Sequence, residues 1–132
     1  MKKLLFISLL LMTQALYALE SPFLLLQGEY IGANNVECSV YKMTDDGKLE
    51  LQYSFKSKKF YECKLEVKSC YVIKFKHKRF GEKVLYVDAV VSKRFSVGVD
   101  FNTEENAYLM YNKEAKRYYL ALNEDNSNEE KD

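Results

Sequence analysis

Val36-Glu37-Cys38-Ser39-Val40-Tyr41-Lys42-Met43, then Thr44-Asp45-Asp46-Gly47-Lys48, then Leu49-Glu50-Leu51-Gln52-Tyr53-Ser54-Phe55, is the stretch that decides the fold. Val36, Cys38 and Val40 alternate with other residues, as do Leu49, Leu51, Tyr53 and Phe55. A period of two marks a strand with one buried face, because successive side chains of an extended chain point to opposite sides. Asp45-Asp46 ahead of Gly47 reads as a two-residue hairpin loop. That loop pairs 40 with 51 and 38 with 53, and so brings both apolar sets to one face.

Outward from this hairpin, short segments of the same kind recur at 29–33, 60–67, 71–77, 83–91, 94–101, 106–111 and 117–122, with turn residues between them. Tyr61, Cys63, Leu65 and Val67 join the core face if Ser57-Lys58-Lys59 is a three-residue loop, which sets 53 beside 63. Tyr71, Ile73 and Phe75 join it if Lys68-Ser69-Cys70 is another. Across Ser92-Lys93 two registers compete. A two-residue loop aligns Val84, Tyr86, Asp88 and Val90 with Phe95, Val97, Val99 and Phe101, and turns Asp88 inward; a three-residue loop buries Leu85, Val87, Ala89 and Val91 and leaves Asp88 in water. Ser21-Pro22 followed by Phe23-Leu24-Leu25-Leu26-Gln27-Gly28 reads either as one capped helical turn or as a buried strand. Short loops between successive strands imply neighbours. The expectation is one all-β domain over 19–122, a small antiparallel meander closed or partly open as a barrel, with a β-sandwich as the alternative and one short N-terminal helical turn as an option.

The ends have their own composition. Lys2 and Lys3 precede an apolar run from Leu4 to Met12 and a small-residue stretch ending at Ala18, the order of a cleavable bacterial-type secretory signal peptide. The run falls well short of the roughly 20 residues of a spanning helix. Residues 1–18 are therefore expected to be removed, sending a chain with no stable membrane span to the periplasm or medium. Cleavage leaves 18 basic and 19 acidic residues, and the acids concentrate in residues 123–132, which carry a net −4 and should be disordered. The body, 19–122, holds +3. That near-neutral total gives no reason to expect nucleic acid.

Export exposes Cys38, Cys63 and Cys70 to oxidation. In the meander, Cys38 and Cys63 flank Tyr53, about 10 Å apart at ~4.8 Å per strand, beyond the roughly 7 Å a disulfide spans. Cys63 and Cys70 lie further apart still, and no disulfide is expected in that register. His77, the single histidine, stands among Lys74, Lys76, Lys78 and Arg79. Neighbouring positive charge disfavours its protonation and a bound cation alike, and it reads as a strand-end residue. There is no GxSxG, HExxH, Walker-type loop or Rossmann glycine pattern. No catalytic residue, metal or cofactor is expected.

Two features suggest binding instead. The interior is rich in Tyr53, Tyr61, Tyr71 and Tyr86 and, in one register, holds Asp88; a barrel of eight strands is wide enough for one small ligand, and these groups would orient it. The leading expectation is thus a small apolar ligand or lipid in a barrel interior. From residue 56 to residue 94 there are twelve Lys+Arg against four acids, and Lys74, Lys76 and Lys78 alternate onto the face opposite Tyr71, Ile73 and Phe75. The runner-up is a protein-interaction module that meets an anionic partner through this basic strand face. Gln27-Gly28-Glu29-Tyr30 ahead of the strands resembles the opening of lipocalin-like barrels, with Tyr in place of Trp, and the resemblance implies a ligand-holding barrel. Small exported lysozyme inhibitors are a further β-barrel class, but their target is basic and the +3 body opposes it.

Overall fold

The computed structural model describes residues 22–103 and 106–122. The strands are β1 (Phe23–Ile31), β2 (Val36–Met43), β3 (Leu49–Ser57), β4 (Phe60–Glu66), β5 (Ser69–His77), β6 (Gly81–Ala89), β7 (Lys93–Ser96), β8 (Val99–Asp100), β9 (Ala107–Asn112) and β10 (Arg117–Leu122). They form two mixed sheets. One has β1 between β4 and β7, with β8 pairing further along β1; the other runs β10-β9-β6-β5-β2-β3. Neither sheet closes on itself, so the domain is all-β and sandwich-like, and the expected barrel is not formed.

The stretch after Ser21-Pro22 is strand, not helical turn. β1 pairs antiparallel with β4 on one side and parallel with β7 on the other; in its leucine run Leu24 and Leu26 are buried while Phe23 and Leu25, on the opposite face, are half-buried. Leu24 and Leu26 point into the core with no exposure.

The expected meander fails at two corners for the same physical reason. Lys58 and Lys59 do not close a hairpin, because their carbonyls accept the amides of Asn35 and Tyr30. The chain thereby leaves the six-stranded sheet after β3 and enters the other as β4. At the next corner the Val67 amide donates to the Pro22 carbonyl and the Lys68 amide to that of Ala89, with Lys68 at a φ of 69°, and the chain returns as β5. The Ser92-Lys93 hairpin is likewise absent, since β7 lies beside β1.

The hairpins that do form are β2–β3, β5–β6 and β9–β10. The first is longer than expected. Its loop spans residues 44–48, closed by the Thr44 amide on the Lys48 carbonyl, the Gly47 amide on the Thr44 carbonyl and the Thr44 hydroxyl on the Asp46 carboxylate. Val40 consequently faces Tyr53 and Cys38 faces Phe55; a bulge at Val40/Tyr41 shifts the remainder, and Leu49 and Leu51 end up exposed.

Face assignments survived in β2, β4 and β5 where pairings did not, but failed in β3, whose Leu49, Leu51 and Tyr53 are exposed. Val36, Cys38 and Val40 from β2, Tyr61, Cys63 and Leu65 from β4, and Tyr71, Ile73 and Phe75 from β5 are all buried in one core cluster between the sheets. In β6 the inward set is Leu85, Val87 and Ala89, so Asp88 points away from the core. At Gly28, β1 lies tight against the link between β7 and β8 in its own sheet: a β-carbon there would lie 1.8 Å from the Val97 carbonyl oxygen. Only glycine fits that approach.

Candidate functional site

The outer face of the six-stranded sheet follows from the same alternation that fills the core. With Cys38, Ile73 and Phe75 inward, Ser39, Tyr41, Val72 and Lys74 must face out. Cross-strand register then builds one row over five strands. Tyr41 on β2 sits opposite Val72 on β5, Val72 opposite Tyr86 on β6, Tyr86 opposite Tyr108 on β9, and Tyr108 opposite Ala121 on β10. The Tyr86 and Tyr108 rings stack with centroids 4.6 Å apart, and Val72, between two tyrosines, is only 3% exposed. On one flank the Lys74 ammonium lies 5.1 Å above the Tyr41 ring. On the other, Met110 pairs with Tyr119, both open to solvent.

The expected basic stripe is only partly there. Lys74 and Lys76 share the outer face of β5, but Lys76 lies between Glu37 and Glu82 in register, which offsets its charge, and Lys78 lies beyond the strand end. His77 is engaged locally: its Nδ1 accepts the amides of Arg79 and Phe80 at 3.0 and 3.3 Å. That fixes the turn after β5.

The five residues expected to line a ligand cavity do not converge. Tyr61 is buried and its hydroxyl donates to the Val97 carbonyl at 2.6 Å. The Tyr71 hydroxyl accepts the Glu66 amide, and the half-exposed Tyr53 hydroxyl accepts the Lys64 amide from across the sheet edges. Tyr86 and Asp88 stand on the outer face, where Asp88 accepts a weak hydrogen bond from the Cys70 thiol at 3.7 Å. Desolvation, and then the Asp88 charge, push the Cys70 thiol pKa up, which disfavours a reactive thiolate. Between the sheets, a cavity of about 70 Å³ lies against Phe75, Lys83, Leu85 and Val99, with the Lys83 ammonium bonded to the Thr103 carbonyl.

Among the described residues no cluster of His, Cys, Asp and Glu is arranged to hold a metal ion. No helix there is long and apolar enough to cross a membrane. The tyrosine row was not found from sequence. Its signal lay in the second register at Ser92-Lys93, which turns Tyr86 outward, but the β6–β9 pairing that completes the row is parallel and has no local signature. No protein-family model matches the chain, and no curated protein matches it.

Proposed function

We propose that the protein is an exported, non-enzymatic binding module that meets an anionic protein partner through the outer face of its six-stranded sheet. The observation that carries the reading is the row Tyr41, Val72, Tyr86 and Tyr108, flanked by Lys74. Tyrosine and methionine are enriched in protein interfaces, where large rings bury area at little entropic cost, and a lysine beside them favours acidic groups. The export half of the proposal rests on the pattern of residues 1–18.

The interior-ligand reading has less support. A cavity of about 70 Å³ is far below the roughly 300 Å³ at which small-molecule sites begin, and the Tyr61 and Tyr71 hydroxyls are engaged with backbone. A photo-crosslinking amino acid at position 119, introduced into the full chain and activated in intact cells, tests the proposal. A discrete adduct that disappears in the Tyr86→Ser/Tyr108→Ser variant is expected. An adduct indifferent to those changes, or none, defeats it. Native mass spectrometry that finds a bound small molecule would restore the interior reading.

A further inference from the structure

Cys38 on β2 and Cys63 on β4 belong to facing sheets, are 0% and 1% exposed, and share one core cluster. Register brings them to the same place. Cys38 stands beside Phe75 on the neighbouring strand. Cys63 is two residues from Tyr61, whose ring meets Phe75 edge-on with centroids 4.8 Å apart. From the strand on the other side of β2, the Tyr53 hydroxyl reaches the Lys64 amide, next to Cys63. Both cysteines are free thiols in the structure and lie in the same part of the core between the sheets; hydrogen bonding with Cys63 is the largest cause of the raised pKa of Cys38. The meander had put the Tyr53 strand between them, and in the fold that strand lies to one side.

Cys70 is excluded from this pair. It is on the outer face of β5, bonded to Asp88, with the sheet itself between its sulfur and the core. Buried disulfides join facing sheets in sandwiches of the immunoglobulin type, so an inter-sheet bond is compatible with this kind of architecture.

We infer that Cys38 and Cys63 close into a single inter-sheet disulfide when the chain folds in an oxidising compartment, leaving Cys70 as a thiol. The inference rests on the export reading above. One cysteine thiolate attacks a donor disulfide, that of a dithiol oxidase or of oxidised glutathione, and releases one donor thiol. The second thiolate attacks the mixed disulfide at the first cysteine's sulfur and releases the other donor thiol. Two cysteines lose two protons and two electrons, and the donor gains both. Because the finished core hides both sulfurs, closure precedes final packing.

The test is refolding of the full chain in a buffer of reduced and oxidised glutathione, followed by alkylation under denaturing conditions and peptide mapping. One alkylated cysteine, Cys70, and a linked pair of peptides containing Cys38 and Cys63 are expected. The oxidised form should melt on the order of 10 °C above the reduced one, in Cys70→Ser as in the unaltered chain, and Cys63→Ser should abolish the difference. Three alkylated cysteines, or a bond through Cys70, would overturn the pairing. The same map made on protein isolated from cells separates the two readings: a bond that forms in the glutathione buffer but is missing from the cellular protein upholds the pairing and removes export.

Discussion

The two faces of β5 carry different chemistry at the same spacing. Inward, Tyr71, Ile73 and Phe75 are at most 4% exposed and belong to the core cluster built from both sheets; outward, Val72 and Lys74 take part in a surface row of tyrosines and one ammonium group. Burial on the inner face is a stability matter, because each apolar side chain there is worth roughly 1.5–3 kcal/mol of transfer free energy. On the outer face only Val72 is buried to the same degree, and the tyrosines and Lys74 around it keep solvent-facing area for another surface. Substitutions on the two faces should separate stability from binding.

The largest effect should come from Phe75→Ala. Phe75 has no exposure and its ring meets both Tyr61 and Tyr30, so truncation removes the transfer term and leaves a cavity, a loss of about 3–5 kcal/mol. Urea denaturation would measure it, and a loss below 1 kcal/mol would mean that the core is not centred there.

Alkali attacks the same core. Burial pushes the Tyr30 phenol up from 10.0 to about 12, and burial raises Tyr61 in the same direction. An unfolded tyrosine ionises near pH 10, so above that pH the unfolded chain releases protons that the folded chain retains. Stability present below pH 10 is therefore lost as pH rises toward 12, by roughly 2–3 kcal/mol for Tyr30. Tyrosinate absorbance should rise together with unfolding, and Tyr30→Phe should move the alkaline midpoint upward. An unmoved midpoint would sink the assignment.

Gly28→Ala probes the contact between β1 and the β7–β8 segment. The added methyl would collide with the Val97 carbonyl, which also accepts the Tyr61 hydroxyl. Forcing these apart should cost about 1–3 kcal/mol, visible as a lower melting temperature; an unchanged one would mean that the two segments stand further apart.

The inner face was legible in the sequence because period two depends only on local alternation, and Cys38, Val40, Cys63, Leu65, Ile73 and Phe75 all fell where it put them. Strand pairing was not. The rule that short loops join neighbours was defeated at Lys58-Lys59 and at Val67-Lys68 by hydrogen bonds to Asn35, Tyr30, Pro22 and Ala89, partners up to 45 residues away in the chain. The candidate surface inherited that loss, since Tyr86 joins Tyr108 only through the parallel β6–β9 pair. Of the residues expected to bind, Lys74 alone keeps both its expected face and a place beside the row.

Lys74→Glu therefore gives the smallest change in stability and the sharpest test of the outer face. Lys74 makes a cation–π contact with Tyr41, worth about 0.5–1 kcal/mol at a partly exposed site, and Ser39 and Val84 are its lateral neighbours, so no acid there repels the new carboxylate. The melting temperature should fall by no more than a few degrees. Partner capture by the crosslinker at position 119 should drop much further, because the reversal replaces attraction to an acidic group with repulsion at close range. In the unaltered chain the same capture should weaken as salt rises. Equal capture by Lys74→Glu and the unaltered chain would leave the tyrosine row as the contact and remove charge from the recognition.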